Sequence, residues 1–164
     1  MKILIFSDSH GDVETMVSVV ENEKPEMIIH LGDSITDAEE LHNKYTDIEM
    51  IKILGGIDSQ KENEEWIQFT EICGKRFMLT HGHTFLDKAL NFRQGEQQMW
   101  MYAGNANIVL YGHSHEPFIN CCLGKWIMNP GRIGRSVEGG SGNPTYGVLI
   151  INESGNLQWQ FKEV

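Results

Sequence analysis

The chain has 164 residues, with 13 Lys+Arg against 23 Asp+Glu and a formal net charge of −10 at pH 7. At 40% hydrophobic and 22% charged it has the composition of a globular protein with a self-sufficient core, and the expectation is a single domain over residues 1–164. The negative excess argues against long nucleic acids and anionic membranes as partners, because both need clustered cations, but it leaves room for a small phosphorylated ligand if something local reverses the sign.

In chain order, Lys2 to Ser7 (KILIFS) reads as a short buried strand. Gly11-Asp12 forms a turn and helix N-cap, and Val13, Met16, Val17 and Val20 then lie on one helical face until Pro25 stops the helix. Met27 to Leu31 is a second buried strand, Asp37 to Lys44 a short helix, and Ile48 to Leu54 a third strand. This β-α-β-α-β order predicts parallel strands with crossover helices. The pattern then changes. Trp66 to Ile72 and Arg76 to Thr80 flank a hairpin turn at Cys73-Gly74-Lys75. Leu86 to Ala103 has helical spacing, with Leu90, Met99 and Tyr102 as anchors and Gly95 as a weak point. Ile108 to Tyr111 is another buried strand, followed by strands at Phe118 to Cys122, Trp126 to Met128, Tyr146 to Ile151 and Leu157 to Phe161. Asn152 to Asn156 joins the last two as a hairpin turn. Gly131 to Pro144 is a glycine-rich loop. The predicted class is α/β, with two mixed sheets packed as a sandwich and helices outside.

No apolar run approaches the ~20 residues that span a bilayer. Cys73, Cys121 and Cys122 match no zinc-finger or redox spacing, and are expected to be reduced, mostly buried thiols of a cytoplasmic protein.

The chemistry gathers where strands end. Asp8 and His10 follow the first strand, and Asp33 follows the second. His81 and His83 follow the strand ending at Thr80, and His113 and His115 follow IVLYG. Five of the seven histidines thus lie in strand-end turns, where open α/β sheets bind ligands. All are metal-ligand types. Two divalent ions about 4 Å apart can clamp a phosphoryl group and activate a water, with a carboxylate between them. Imidazole suits Zn, Fe, Ni and Cu and carboxylate suits Mn or Mg, so the set does not select one metal. Such ions would also give an acidic protein a positive pocket.

DSH at Asp8 to His10, GD at Gly32-Asp33, HGH at His81 to His83 and GHSH at Gly112 to His115 resemble the calcineurin-like metallophosphoesterases. The length, the HGH form and NPG at Asn129 to Gly131 point to the small stand-alone bacterial and archaeal phosphodiesterase branch, which the retromer scaffold subunit also resembles. The resemblance runs from Lys2 to about Ile151. It implies a β-sandwich flanked by helices and a hydrolase of small phosphodiesters. It implies two divalent ions, manganese foremost with zinc, nickel or iron as alternatives. Asp8, His10 and His115 would hold the first ion, Asp33 would bridge, and His81 and His113 would hold the second.

The family adds an asparagine to the second ion from a loop reading GNxD. Here the loop is GGID, so Gly56 stands in the asparagine's place. Ile57 stands where many relatives carry a proton-donating His, and Asp58 matches the final acid, which supports the ligands. These departures predict a looser second site and a weak enzyme that favours acidic leaving groups, since general acid help is worth ~10²–10⁴-fold. His83 is read as facing substrate or supporting the ligands, and Arg132 and Arg135 as phosphate-gripping candidates or surface arginines. His30 is read as a core histidine, His42 as a solvated one, and the four tryptophans as packing. The competing reading is a catalytically impaired metal-binding scaffold for protein–protein interaction. Oligomeric state, monomer or dimer, is left open.

Overall fold

The computed structural model describes residues 1–58, 65–135 and 142–164. Among these residues, ten strands form two five-stranded sheets. The first comprises β1 (Lys2–Phe6), β2 (Met27–His30), β3 (Glu49–Lys52), β9 (Thr145–Ile151) and β10 (Leu157–Glu163), in the order β10-β9-β1-β2-β3. β1, β2 and β3 are parallel, as the alternation with helices requires; β9 adds antiparallel to β1, and β10 adds antiparallel to β9. The second comprises β4 (Ile67–Ile72), β5 (Lys75–Thr80), β6 (Ile108–Leu110), β7 (Pro117–Cys122) and β8 (Lys125–Pro130), in the order β4-β5-β6-β8-β7. Here β5, β6 and β8 are parallel, and hairpin partners close both edges.

The central strands β1, β2, β6 and β9 are mainly apolar because both their faces are covered, whereas the edge strands β4, β7 and β10 are partly polar and exposed. Ile3, Ile5 and Ile29 meet Phe77, Leu79, Leu110 and Met128 between the sheets. Leu4, Phe6 and Ile28 face outward under α1 (Val13–Glu23) and α2 (Ile35–Lys44). Met78, Val109 and Ile127 face outward under α3 (His83–Leu86) and α4 (Phe92–Tyr102). The result is the four-layer sandwich expected from the sequence.

Several local expectations change. The helical pattern from Leu86 to Ala103 is broken between α3 and α4, where the Asn91 side chain accepts from Gln94 N–H and starts a new helix. Leu90 falls in the break and is 90% exposed, and Tyr102 is also exposed, so of the expected anchors Met99 alone is buried. Gly95 is a packing position, since a Cβ there would press on Leu86. The three cysteines are free but exposed: Cys73 lies in the β4–β5 turn, and Cys121 and Cys122 lie on the edge strand β7. His42 is half-buried, not solvated, with its Nδ1 covered. Trp66 is exposed, whereas Trp126 and Trp159 pack against the inter-sheet core. Of the expected 131–144 loop, residues 136–141 lie outside the described residues.

Candidate metal centre

The carboxyl ends of β1, β2, β5 and β6 deliver the strand-end Asp and His residues to one place. Donor atoms of Asp8, His10 and His115 lie within 4.8 Å of one another, and those of Asp33, His81 and His113 do likewise. The turns that achieve this are tight. Asp8, His10, Asp33, His113 and His115 all adopt positive φ, between 43° and 68°. Asp and His tolerate this region better than most residues, yet each such turn still costs roughly 1–3 kcal/mol. Two glycines let the turns close: a Cβ on Gly55 would overlap Asp33 Oδ1, and one on Gly112 would overlap Ser7 Oγ. The NPG stretch braces the same region, since Asn129 Nδ2 donates to the Gly112 carbonyl at 2.8 Å and to Ser114 Oγ at 3.0 Å.

Asp8 Oδ1 lies 3.2 Å from His115 Nε2, 3.8 Å from His81 Nε2 and 3.9 Å from His10 Nε2. Asp33 straddles the two groups, with Oδ1 3.3 Å from His81 Nε2 and Oδ2 3.8 Å from His10 Nε2. Asp8 Oδ1, His10 Nε2 and His81 Nε2 are buried and make no well-aligned hydrogen bond among the described residues. Leaving a buried polar atom unpaired costs about 1–3 kcal/mol, so three converging on one space call for a ligand. Carboxylate oxygen and imidazole nitrogen fit a divalent cation.

The rings are held in tautomers suited to that task. His81 Nδ1 donates to the Leu31 carbonyl at 2.8 Å, leaving Nε2 with its lone pair toward the two aspartates. His113 Nε2 lies 2.7 Å from Asp87 Oδ1, so Asp87 takes that N–H and leaves Nδ1 free. Asp87, on the residue that ends α3, was not singled out by any sequence pattern; its spacing four residues after His83 in HTFLD could have suggested one helical turn.

Electrostatics couple the groups. Burial alone would raise the Asp8 and Asp33 carboxyls, but the neighbouring rings outweigh it: His115 and His81 hold Asp8 below the usual carboxylate range, and His81, the Ile57 N–H and His10 do so for Asp33. Burial opposes protonation of His81, yet Asp33 and Asp8 raise it, and Asp8 raises His115. His83 goes the other way, lowered by burial and by the His81 and His113 rings.

The remaining expected residues take different places. Asp58 is occupied by backbone: Oδ1 accepts from Ser34 and Ile35 N–H, and Oδ2 from Asp33 and Gly55 N–H, at 2.8–3.0 Å. It thereby caps α2, whose own N-cap Ser34 makes no side-chain bond, and fixes the Asp33 turn. Gly56 faces His83, and a Cβ there would sit 3.6 Å from its Cγ. His83 stands 5.6 Å from His81 and 6.3 Å from His113 between ring centroids. Arg132 is 6% exposed, close enough for its charge to oppose protonation of His115, and its Nη2 donates to the Gly142 carbonyl at 3.0 Å. Its Nε and Nη1 have no hydrogen-bond partner among the described residues. Arg135 lies apart, at the start of α1, where its N–H donates to Asp12 Oδ2. His30 is fully buried and takes no part in either cluster. Its Nδ1 accepts from Gly32 N–H at 3.3 Å, its Nε2 meets Ser9 Oγ at 3.2 Å, and Ser9 donates to Asp37.

A four-layer sandwich carrying an Asp/His array on the carboxyl ends of its parallel strands defines the class of metal-dependent phosphoesterases. Residues 1–154 match the calcineurin-like phosphoesterase superfamily domain, and the chain belongs to that family. A phosphodiesterase from Methanocaldococcus jannaschii is 28% identical over 167 residues, covering 91% of this chain and 92% of the relative. A conserved uncharacterized protein from Streptococcus pneumoniae TIGR4, named a predicted phosphoesterase, superposes with a TM-score of 0.75 at 26% identity, covering 99% of this chain and 88% of that one. Vps29 from Entamoeba histolytica, solved with Zn²⁺, superposes with a TM-score of 0.71 over 99% of each chain at 16% identity, a likeness of fold.

Proposed function

We propose that this chain is a phosphodiesterase that hydrolyses a small phosphodiester with two divalent ions, within a single domain over residues 1–164. The observation that carries this reading is the convergence of the buried atoms Asp8 Oδ1, His10 Nε2 and His81 Nε2. Asp8, His10 and His115 would hold one ion, His81 and His113 the other, and Asp33, with one oxygen toward each group, would bridge. Bound there, divalent ions supply Lewis acidity for the phosphoryl oxygens and lower the pKa of a water. Manganese is the first candidate; zinc, nickel and iron share the donor preference.

The chain's own groups do the rest. Arg132 offers its free Nε and Nη1 to phosphoryl oxygens, which offsets the cost of a buried, unpaired guanidinium. Asp58 holds the Asp33 turn and touches no substrate. Ile57 has no proton to give, so the leaving group must depart without acid help from that position, and aryl or other acidic esters are favoured. The exposed free thiols suit a reducing cytoplasm. No described helix is long and apolar enough to cross a membrane.

The scaffold reading draws on one observation, the missing side chain at Gly56. Elemental analysis after reconstitution with manganese, run beside turnover of an aryl phosphodiester, separates the two. Two metals per chain with turnover is the expected result. No metal-dependent turnover with metal bound would leave the scaffold.

A further inference from the structure

Trp66 is unlike the other tryptophans of this chain. Trp126 and Trp159 pack against the core between the sheets, and Lys125 Nζ covers Trp100 at 4.6 Å from its ring centroid. Trp66 joins none of the three apolar cores and is 46% exposed. Its ring meets His83 edge-to-face, with centroids 5.5 Å apart. His83 in turn meets His81 and His113, so an unbroken series of rings runs from the metal-ligand groups to Trp66. The bond from Leu54 N–H to the Glu65 carbonyl, at 3.1 Å, ties the segment before Trp66 to the loop that carries Gly56 and Ile57. Ile57 is 64% exposed, although its own N–H donates to Asp33 Oδ1 at the heart of the site. Gly56 adjoins the same ring, since a Cβ there would sit in ordinary contact with His83, 3.6 Å from its Cγ.

We infer that Trp66, His83 and Ile57, beside Gly56, form a subsite for a flat aromatic substituent of the phosphoester, a nucleobase or an aryl ring. The inference rests on the phosphoesterase reading of the adjoining groups. Two large apolar side chains held in water beside a polar centre gain when a ring covers them, and stacking on an aromatic side chain tolerates any flat π-face. Gly56, which offers no ligand atom, also adds no bulk beside the His83 ring. Subsite and proton-donor loss then act together: a flat aryl group is both what the rim accepts and what leaves without acid help.

The test is equilibrium binding to the protein incubated with manganese, read by calorimetry and by tryptophan fluorescence. The probes are adenosine 5′-monophosphate, phenyl phosphate and ribose 5-phosphate. The two aromatic probes are expected to bind about tenfold tighter than ribose 5-phosphate, about 1.4 kcal/mol. Trp66→Ala should bring the ratio close to one, and Trp66→Phe should restore most of it, which rules out a folding defect. Tight binding of the adenosine probe alone would make the substituent a nucleobase; equal gains for both would make it any flat ring. Equal affinity for all three in the unaltered protein, a preference that survives Trp66→Ala, or no binding of any probe would overturn the inference. Turnover of an aryl phosphodiester is measured in parallel. Preference without turnover would sink the hydrolytic reading and leave the subsite standing, and turnover without preference would do the reverse.

Discussion

Gly56 shows how a residue can matter through what it lacks. Its φ is not in the left-handed region and a Cβ there would make ordinary contact with His83, so the backbone accepts a side chain without strain. Gly56→Asn is therefore expected to fold normally and to tighten the weaker of two metal-binding steps by roughly ten- to a hundredfold, the scale of a lost supporting ligand contact. A chelator-competition titration of both proteins checks this, and an unchanged second step would mean that the loop does not serve that ion. His30 makes a second prediction. Burial holds it down to about 4, against 6.5 in the unfolded chain. The unfolded state therefore takes up a proton that the folded state refuses between those values. Stability from this group is fully present above pH 6.5 and is lost as pH falls toward 4, by about 3 kcal/mol at 1.36 kcal/mol per unit. Urea unfolding in the presence of a chelator should show that slope, and His30→Gln should flatten it. The sequence made His30 legible as a core histidine because it sits inside an apolar strand. The HTFLD spacing could place Asp87 one turn after His83, but not against His113, because that contact depends on where a one-turn helix stops.

At the level of elements, turns carry the site and the strands only aim them. The candidate ligands were readable from sequence because each follows an apolar run that cannot be anything but buried, and the Asp/His signatures sit at those ends. The α3–α4 break was not readable: the spacing of apolar residues from Leu86 to Ala103 satisfies one helix, and the Asn91 cap that divides it is a local hydrogen bond. That break is what puts Asp87 against His113. Asp87→Ala is expected to free the His113 ring and weaken one metal step about 10–100-fold, with Asp87→Asn in between because its carbonyl still accepts the N–H. Metal affinity, measured at fixed pH, is the readout. Asp58 works on a different element. Four backbone N–H groups from the Asp33 turn, α2 and its own loop depend on this one carboxylate. Hydrogen bonds to charged groups are worth about 1.5–3 kcal/mol, and they are not additive here, so Asp58→Ala should cost about 3 kcal/mol and lower Tm by about 6–12 °C. Calorimetry without added metal isolates this structural cost; an unchanged Tm would show that α2 and the Asp33 turn hold themselves.

Across the whole molecule the central strands are buried on both faces, which is why the sandwich was legible from the order and pattern of its strands, whereas exposure of the cysteines and of Trp66 depends on edges that no local pattern reveals. The net charge of −10 and the buried site aspartates Asp8 and Asp33 set a common problem, since the folded chain concentrates negative charge and strained turns around one place. A divalent ion that binds the folded state alone should relieve this. At a hundred times its dissociation constant each site adds about 2.7 kcal/mol, which for a domain of this size raises Tm by roughly 5–10 °C. The shift must also depend on pH. Asp8 and Asp33 raise His81, and Asp8 raises His115, so in the metal-free protein these rings hold protons at higher pH than an isolated histidine would. Protons then compete with metal from that higher pH downward, because imidazole must be neutral to ligate. Scanning calorimetry with and without manganese, from pH 8 to 5, should show a stabilisation that is full at the alkaline end and already shrinking above the ordinary histidine value of about 6.5. A metal-induced shift that is constant across this range would place the ion on groups other than His81 and His115.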